Sequence, residues 1–168
     1  INGYDIYKFI PALFQEGFFQ PAINERFHAD FQRTLSHLII HNHYRKGREI
    51  SNHHGLRITS EAGGPGKPLH NVPVEALSAL GSLDVPRGEF WNKHHFYDKD
   101  SFDILWLVKE IAAASNIYQR NVVEEEAFTS FEHWEEGPFD LKPLADRAFC
   151  EGMNRVVVHG FTHNPTGT

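Results

Sequence analysis

Four times along this chain, apolar residues at helical spacing give way to a short β-prone run, and each run leads into polar residues. Helix-then-strand units repeated in this way, with little room for hairpins, predict an α/β fold with a parallel sheet. In the first unit Phe27, Phe31, Leu35, Leu38 and Ile39 recur every three or four residues, so a helix is expected from about Asn24 to His53. Gly47 argues against its continuity. Gly55 closes it, and Leu56, Ile58 and Thr59 form a strand running to Glu61. Gly63, Gly64, Pro65 and Gly66 then stop regular structure and allow the backbone to approach a ligand.

The second unit starts at Pro73, placed for the first turn of a helix, with Val74, Leu77 and Leu80 on one stripe and Gly81 at its end. The segment Leu83 to Trp91 reads as short and irregular and delivers Glu89 beside aromatics. A third helix is expected from about Ser101 to Tyr118, with Ala112, Ala113 and Ala114 for close packing, followed by a strand Asn121 to Glu126 ending in three acids. The fourth unit pairs a helix from about Lys142 to Met153 with a strand Arg155 to His159. Ahead of all four lies an aromatic-rich helix-and-loop stretch, Gly3 to Phe19.

Parallel strands put their C-terminal ends on one rim, so Glu61, Glu89, Glu126 and His159 could converge there although they are far apart in sequence. A complete (β/α)8 barrel takes about 250 residues. The 168 residues here therefore predict part of a TIM barrel with parallel strands, an incomplete barrel, as a single domain over 1–168.

Composition removes several alternatives. A net charge of −6 with no basic stripe argues against a nucleic-acid partner, and no apolar run is long enough for a membrane span. The single cysteine, Cys150, rules out an internal disulfide; it is expected on a buried helix face as an inert thiol. The start at Ile1 has no signal-peptide pattern and reads as the interior of a longer protein.

For chemistry, two carboxylates facing one substrate can divide acid and base roles when their environments separate their pKa values. Glu61 and Glu126 are the best pair, each ending a plausible buried strand; the alternative is that strand-end acids serve structural ion pairs. Strand alternation puts Glu124 with Glu126 and turns Glu125 to the opposite face, where a helix cation could pair with it. Glu89 is either a third site acid or the partner of Arg87. His37 and His41 have ligand-compatible i, i+4 spacing, but no HExxH pattern accompanies the 12 histidines. His159 and His163 could hydrogen-bond a substrate or be satisfied structural residues. An oxygen-rich calcium site would leave little signature. No GxSxG elbow, phosphate loop or GxGxxG fingerprint is present.

Four blocks together carry a resemblance: Thr59-Ser60-Glu61-Ala62-Gly63-Gly64, Asp84-Val85-Pro86-Arg87-Gly88-Glu89-Phe90-Trp91, Glu126-Ala127-Phe128-Thr129-Ser130, and the long run from Leu141 through Cys150 to Arg155. They cover most of the chain, in order, and resemble the catalytic-barrel motifs of glycoside hydrolase family 106, the α-L-rhamnosidases and their relatives. The resemblance implies a (β/α)8 catalytic domain, inverting hydrolysis of a terminal α-L-rhamnoside in an oligosaccharide or glycoside, and a calcium ion near the sugar hydroxyls. It implies Glu61 as general acid and Glu126 as general base. Glu89, Trp91, His159 and His163 would line the sugar site, with Glu89 and Glu124 as candidate calcium ligands. It also implies a periplasmic or extracellular setting and a much longer parent chain supplying the remaining strands and β-sandwich domains. A non-catalytic carbohydrate-binding or structural fragment is the alternative from another class; a histidine-dependent metallohydrolase is a third.

Overall fold

The structure is a computed structural model that describes residues 2–62, 72–91, 106–130 and 135–159. Two 3-10 turns, Ile6–Lys8 and Ile10–Leu13, lead into helix α1 (Pro21–Ile39). A π-helical turn (Ile40–Arg45) joins it to α2 (Lys46–His53), so the rod continues through Gly47. Then come β1 (Thr59–Ser60), α3 (Ala76–Gly81), β2 (Val85–Trp91), α4 (Trp106–Ile117), β3 (Glu124–Thr129), α5 (Pro138–Glu151) and β4 (Arg155–Val158). All strand pairs are parallel and the sheet order is β1-β2-β3-β4, the order of strands in one continuous arc of a barrel. The α/β architecture with four parallel strands is as the sequence pattern predicts.

Several boundaries differ, for identifiable reasons. Residues 83–91, expected to be irregular, contain the seven-residue strand β2. Pro86 cannot donate to a ladder, but it faces β1, which is only two residues long. The expected strand before Glu61 shrinks to those two residues, since Leu56 is 63 % exposed and gains nothing from pairing there. Pro73 lies outside α3; Glu75 caps that helix instead, its carboxylate accepting from the N–H groups of Leu77 (3.1 Å) and Ser78 (2.9 Å). Helix α5 begins at Pro138 and tolerates Pro143 in its interior. Leu38, expected on the buried stripe of α1, is exposed. The Gly63–Gly66 loop and Ser101 lie outside the described residues.

One sheet face is apolar and covered by helices. Phe90 of β2 and Ala127 of β3 pack with Val108 of α4, Ala148 of α5 and Met153 in one core cluster. A second cluster joins Ile40, Ala62, Leu80, Leu83, Ile111 and Val123, tying α3 and α4 to the π turn. Helix α5 docks through Leu144 and Ala148, an i, i+4 pair; Cys150, two residues further round, is exposed rather than buried. Gly152 closes α5 with φ +123°, and a Cβ there would stand 2.8 Å from the Cβ of Ala112 on α4. Asp84 fastens the first unit to the sheet, accepting from Arg48 Nε (2.9 Å), Asn52 Nδ2 (2.8 Å) and the Ile58 N–H (2.9 Å). Burial alone would raise its pKa; these three hydrogen bonds outweigh that and hold it below the ordinary value. Among the described residues no helix is long and apolar enough to cross a membrane.

Candidate active site

The sheet's other face is charged, and the register decides which charges meet. Arg87, Glu124 and Arg155 occupy one level across β2, β3 and β4; Glu89, Glu126 and Val157 occupy the next level toward the C-terminal ends. On the first level Glu124 is fully engaged. Its Oε1 accepts from Arg87 Nε (2.6 Å) and Thr59 Oγ1 (3.0 Å), and its Oε2 from Arg155 Nε. Burial pushes the Glu124 pKa up, but the hydrogen bonds from Arg87 and Thr59 and the two guanidinium charges win, leaving it lowered. This carboxylate is a brace across all four strands, held ionised with both oxygens engaged.

That arrangement separates the three consecutive acids. Glu124 is clamped. Glu126, one level higher and half-buried, shares the charged face and lies opposite Glu89 in the register. Glu125 points to the helix side, where it is fully buried and neither carboxylate oxygen has a hydrogen-bond partner. The expected helix cation is not there: a Cβ on Gly88 would lie 2.4 Å from Glu125 Oε2 and 2.7 Å from Ile111 Cγ1, which places the carboxyl against strand backbone and an aliphatic side chain. Burial, with the nearby charges of Glu61 and Glu124, pushes its pKa up to about 8.

Glu61 directly follows β1 and is half-buried. It lines a cavity of about 10 Å³ together with Arg87, Glu89, Leu107, Glu110 and Ile111. That is about the volume one water requires. Glu110 is half-buried there, and burial, reinforced by the charge of Glu75, raises its pKa. Glu89 accepts a hydrogen bond from the Trp91 indole N–H, so Arg87 is not its partner; Arg87 serves Glu124. His159 is exposed just beyond β4, while His163 lies outside the described residues.

Among the described residues, two of the three non-glycine residues with positive φ lie at this rim, the third being Gln119 after α4. Ala62, next after Glu61, has φ +44°, and Phe128, two residues after Glu126, has φ +68°. Left-handed geometry in non-glycine residues is uncommon and concentrates at functional sites. Phe128 is the extra residue of a β-bulge: Phe90 pairs with Ala127 but Trp91 with Thr129. Its ring meets Phe90 edge to face with centroids 5.3 Å apart, which anchors the bulge in the core.

Of the two candidate calcium ligands, Glu89 and Glu124, the latter does not fit that role as arranged. Two guanidiniums and a hydroxyl already engage both oxygens of Glu124, and a divalent cation beside Arg87 and Arg155 would be repelled. Among the described residues no group of three or more His, Cys, Asp or Glu side chains could hold a metal ion. The His37 and His41 rings meet at a tilt with centroids 4.1 Å apart; desolvation, then the His37 and Arg45 charges, lower the His41 pKa.

Sequence reading missed Glu110 and the buried state of Glu125, although both carried a signal. Glu110 lies three residues after Leu107 and four before Ala114 on the apolar stripe of α4, and Glu125 alternates with Val123 and Ala127. An acid on an apolar face was the clue in each case.

Comparison with known proteins places this geometry. A chain from the rhamnosidase of Novosphingobium sp. PP1Y superposes with a TM-score of 0.81 at 26% identity, covering 98% of this chain and 15% of that one. A Formosa agariphila protein provisionally named a beta-glucuronidase is 29% identical over 168 residues, which are 98% of this chain and 13% of its own length. The present residues therefore correspond to a small part of much longer proteins. The family model described as alpha-L-rhamnosidase matches residues 1–168, and the chain belongs to glycoside hydrolase family 106.

Proposed function

We propose that this segment supplies the general acid and general base of an inverting glycosidase acting on terminal α-L-rhamnosides, within a (β/α)8 catalytic domain completed by the rest of its parent chain. The observation that carries the reading is the fate of Glu124. With that carboxylate held by Arg87, Arg155 and Thr59, Glu126 becomes the β3 acid on the charged face that can serve as a base. Glu61, on the neighbouring side of the sheet beside Glu89 and Glu110, is the acid.

In this mechanism Glu61 donates its proton to the leaving oxygen as the glycosidic bond lengthens. Glu126 takes a proton from the water that attacks the opposite side of the sugar. Inversion requires the two carboxyls to stand about 6.5–9.5 Å apart, with the water between. Glu89 and Trp91 form one wall of the sugar site, with His159 at its rim, and the family resemblance adds His163 as a further sugar contact.

The test is hydrolysis of an aryl α-L-rhamnoside by the full parent protein, with Glu61→Gln and Glu126→Gln beside it. Each substitution is expected to lower kcat by about 10²–10⁴-fold, the range for loss of acid–base assistance. Full activity in Glu61→Gln would overturn the assignment. The Formosa relative's name favours a second reading, a glucuronide substrate; an aryl glucuronide cleaved in place of the rhamnoside would keep the catalytic pair and change the sugar.

A further inference from the structure

The opposite end of the sheet holds a second concentration of charge, independent of the glycosidase reading. The π turn, α2 and the segments that follow α3 and α4 border an open pocket of about 460 Å³ lined by Arg45, Arg48, Glu49, Asn52, Tyr118 and Arg120. We propose that this pocket binds a small oxyanion of the sulfate or carboxylate class between the guanidiniums of Arg45, Arg48 and Arg120.

The argument is an accounting of donors and charge. A guanidinium carries five N–H donors. Arg45 donates one from Nε to Ser82 Oγ (3.3 Å) and sets Nη1 beside His41 Nε2 (3.3 Å). Arg48 donates from Nε to Asp84 Oδ1 (2.9 Å), and Arg120 from Nη2 to the Gly81 carbonyl (3.2 Å). Arg120 Nε is buried and has no hydrogen-bond partner among the described residues. A buried donor left unsatisfied is costly, and a native structure seldom retains one without a ligand or water to take it.

Charge points the same way. Arg120 is pressed by burial and by the positive charges of Arg48 and Arg57, with Asp84 opposing. Asp84 is already committed to Arg48, Asn52 and the Ile58 N–H, and Glu49 is held by Lys46 Nζ at 3.0 Å from both of its oxygens. The pocket is thus left with unneutralised guanidinium charge in a chain whose net charge is −6. Planar guanidinium forks match the paired oxygens of sulfate and carboxylate, and the volume admits such an ion with part of its hydration shell.

The experiment uses the full parent protein. Its thermal midpoint is followed while sodium sulfate replaces sodium chloride at constant ionic strength, and a crystal soaked in selenate locates the ion by anomalous scattering. The expected result is a saturable rise with sulfate, an anomalous peak between the three arginines, and at least a tenfold loss of apparent affinity in Arg120→Gln and Arg45→Gln. Arg45 is exposed, so Arg45→Gln keeps the test open if Arg120→Gln fails to fold. Sulfate no better than chloride, selenate peaks only elsewhere, or an acidic side chain of the parent already seated in the pocket would each overturn the proposal.

Discussion

Glu125→Gln should stabilise this fold, and by an amount that grows with pH. The native carboxyl is fully buried without a partner and titrates at about 8, against an ordinary value near 4.5. Between those two values the folded chain keeps a proton that the unfolded chain releases, so the unfolded state binds fewer protons and stability falls as pH rises. The contribution is whole below the unfolded value and is lost as pH climbs through the folded one. One pH unit corresponds to about 1.4 kcal/mol, so the 2.5 units from 4.5 to 7 amount to roughly 3 kcal/mol. Glutamine has nearly the same shape, is equally short of partners and does not titrate. The difference between variant and wild type is therefore expected near zero at pH 4.5 and on the order of 3 kcal/mol in favour of the variant at pH 7.

Hydrogen–deuterium exchange of the β2 and β3 amides in the parent protein reads this locally, once intrinsic exchange is corrected at each pH. Taking the difference between the two proteins cancels other titrating groups, including Glu124 and Asp84, whose slopes have the opposite sign. A difference that stays flat from pH 5 to pH 8 would refute the reasoning, because the native carboxyl would then be ionised and partnered.

Other substitutions separate the roles of neighbouring residues. Glu124→Gln leaves Arg87 and Arg155 without their shared carboxylate and should cost about 3–5 kcal/mol, measured as a lower urea midpoint. Since the folded pKa of Glu124 is lowered, its contribution is present above the unfolded value and is lost as acid protonates it, so wild type and variant should converge at low pH. Gly152→Ala adds a methyl where φ is +123° and Ala112 stands 2.8 Å away, and should destabilise by about 1–3 kcal/mol in thermal melts.

Apolar periodicity made the helix-to-strand alternation legible, because a helix stripe and a parallel strand leave different spacings whatever surrounds them. It did not show β2, since Pro86, Arg87 and Gly88 have poor strand character when read locally. That strand exists because β3 pairs with it residue by residue from Arg87 to Trp91, while Phe90 anchors it in the core. Strand position blurred in the same way: Glu89 and Glu126, read as strand ends, are interior, and the ends are Trp91 and Thr129.

The three acids show most clearly where the sequence stops being informative. Alternation alone assigns Glu124 and Glu126 to one face and Glu125 to the other. It says nothing of Arg155, 31 residues on, whose arrival in register on β4 helps turn Glu124 into a brace. Nor does it show that Gly88 and Ile111 close over Glu125 and deny it water. Identical side chains in adjacent positions thus acquire a lowered pKa, a pKa near 8 and a place on the proposed catalytic face. Each difference comes from a residue on another strand or helix. A family motif can therefore nominate Glu126, but the exclusion of Glu124 is a property of the folded sheet alone.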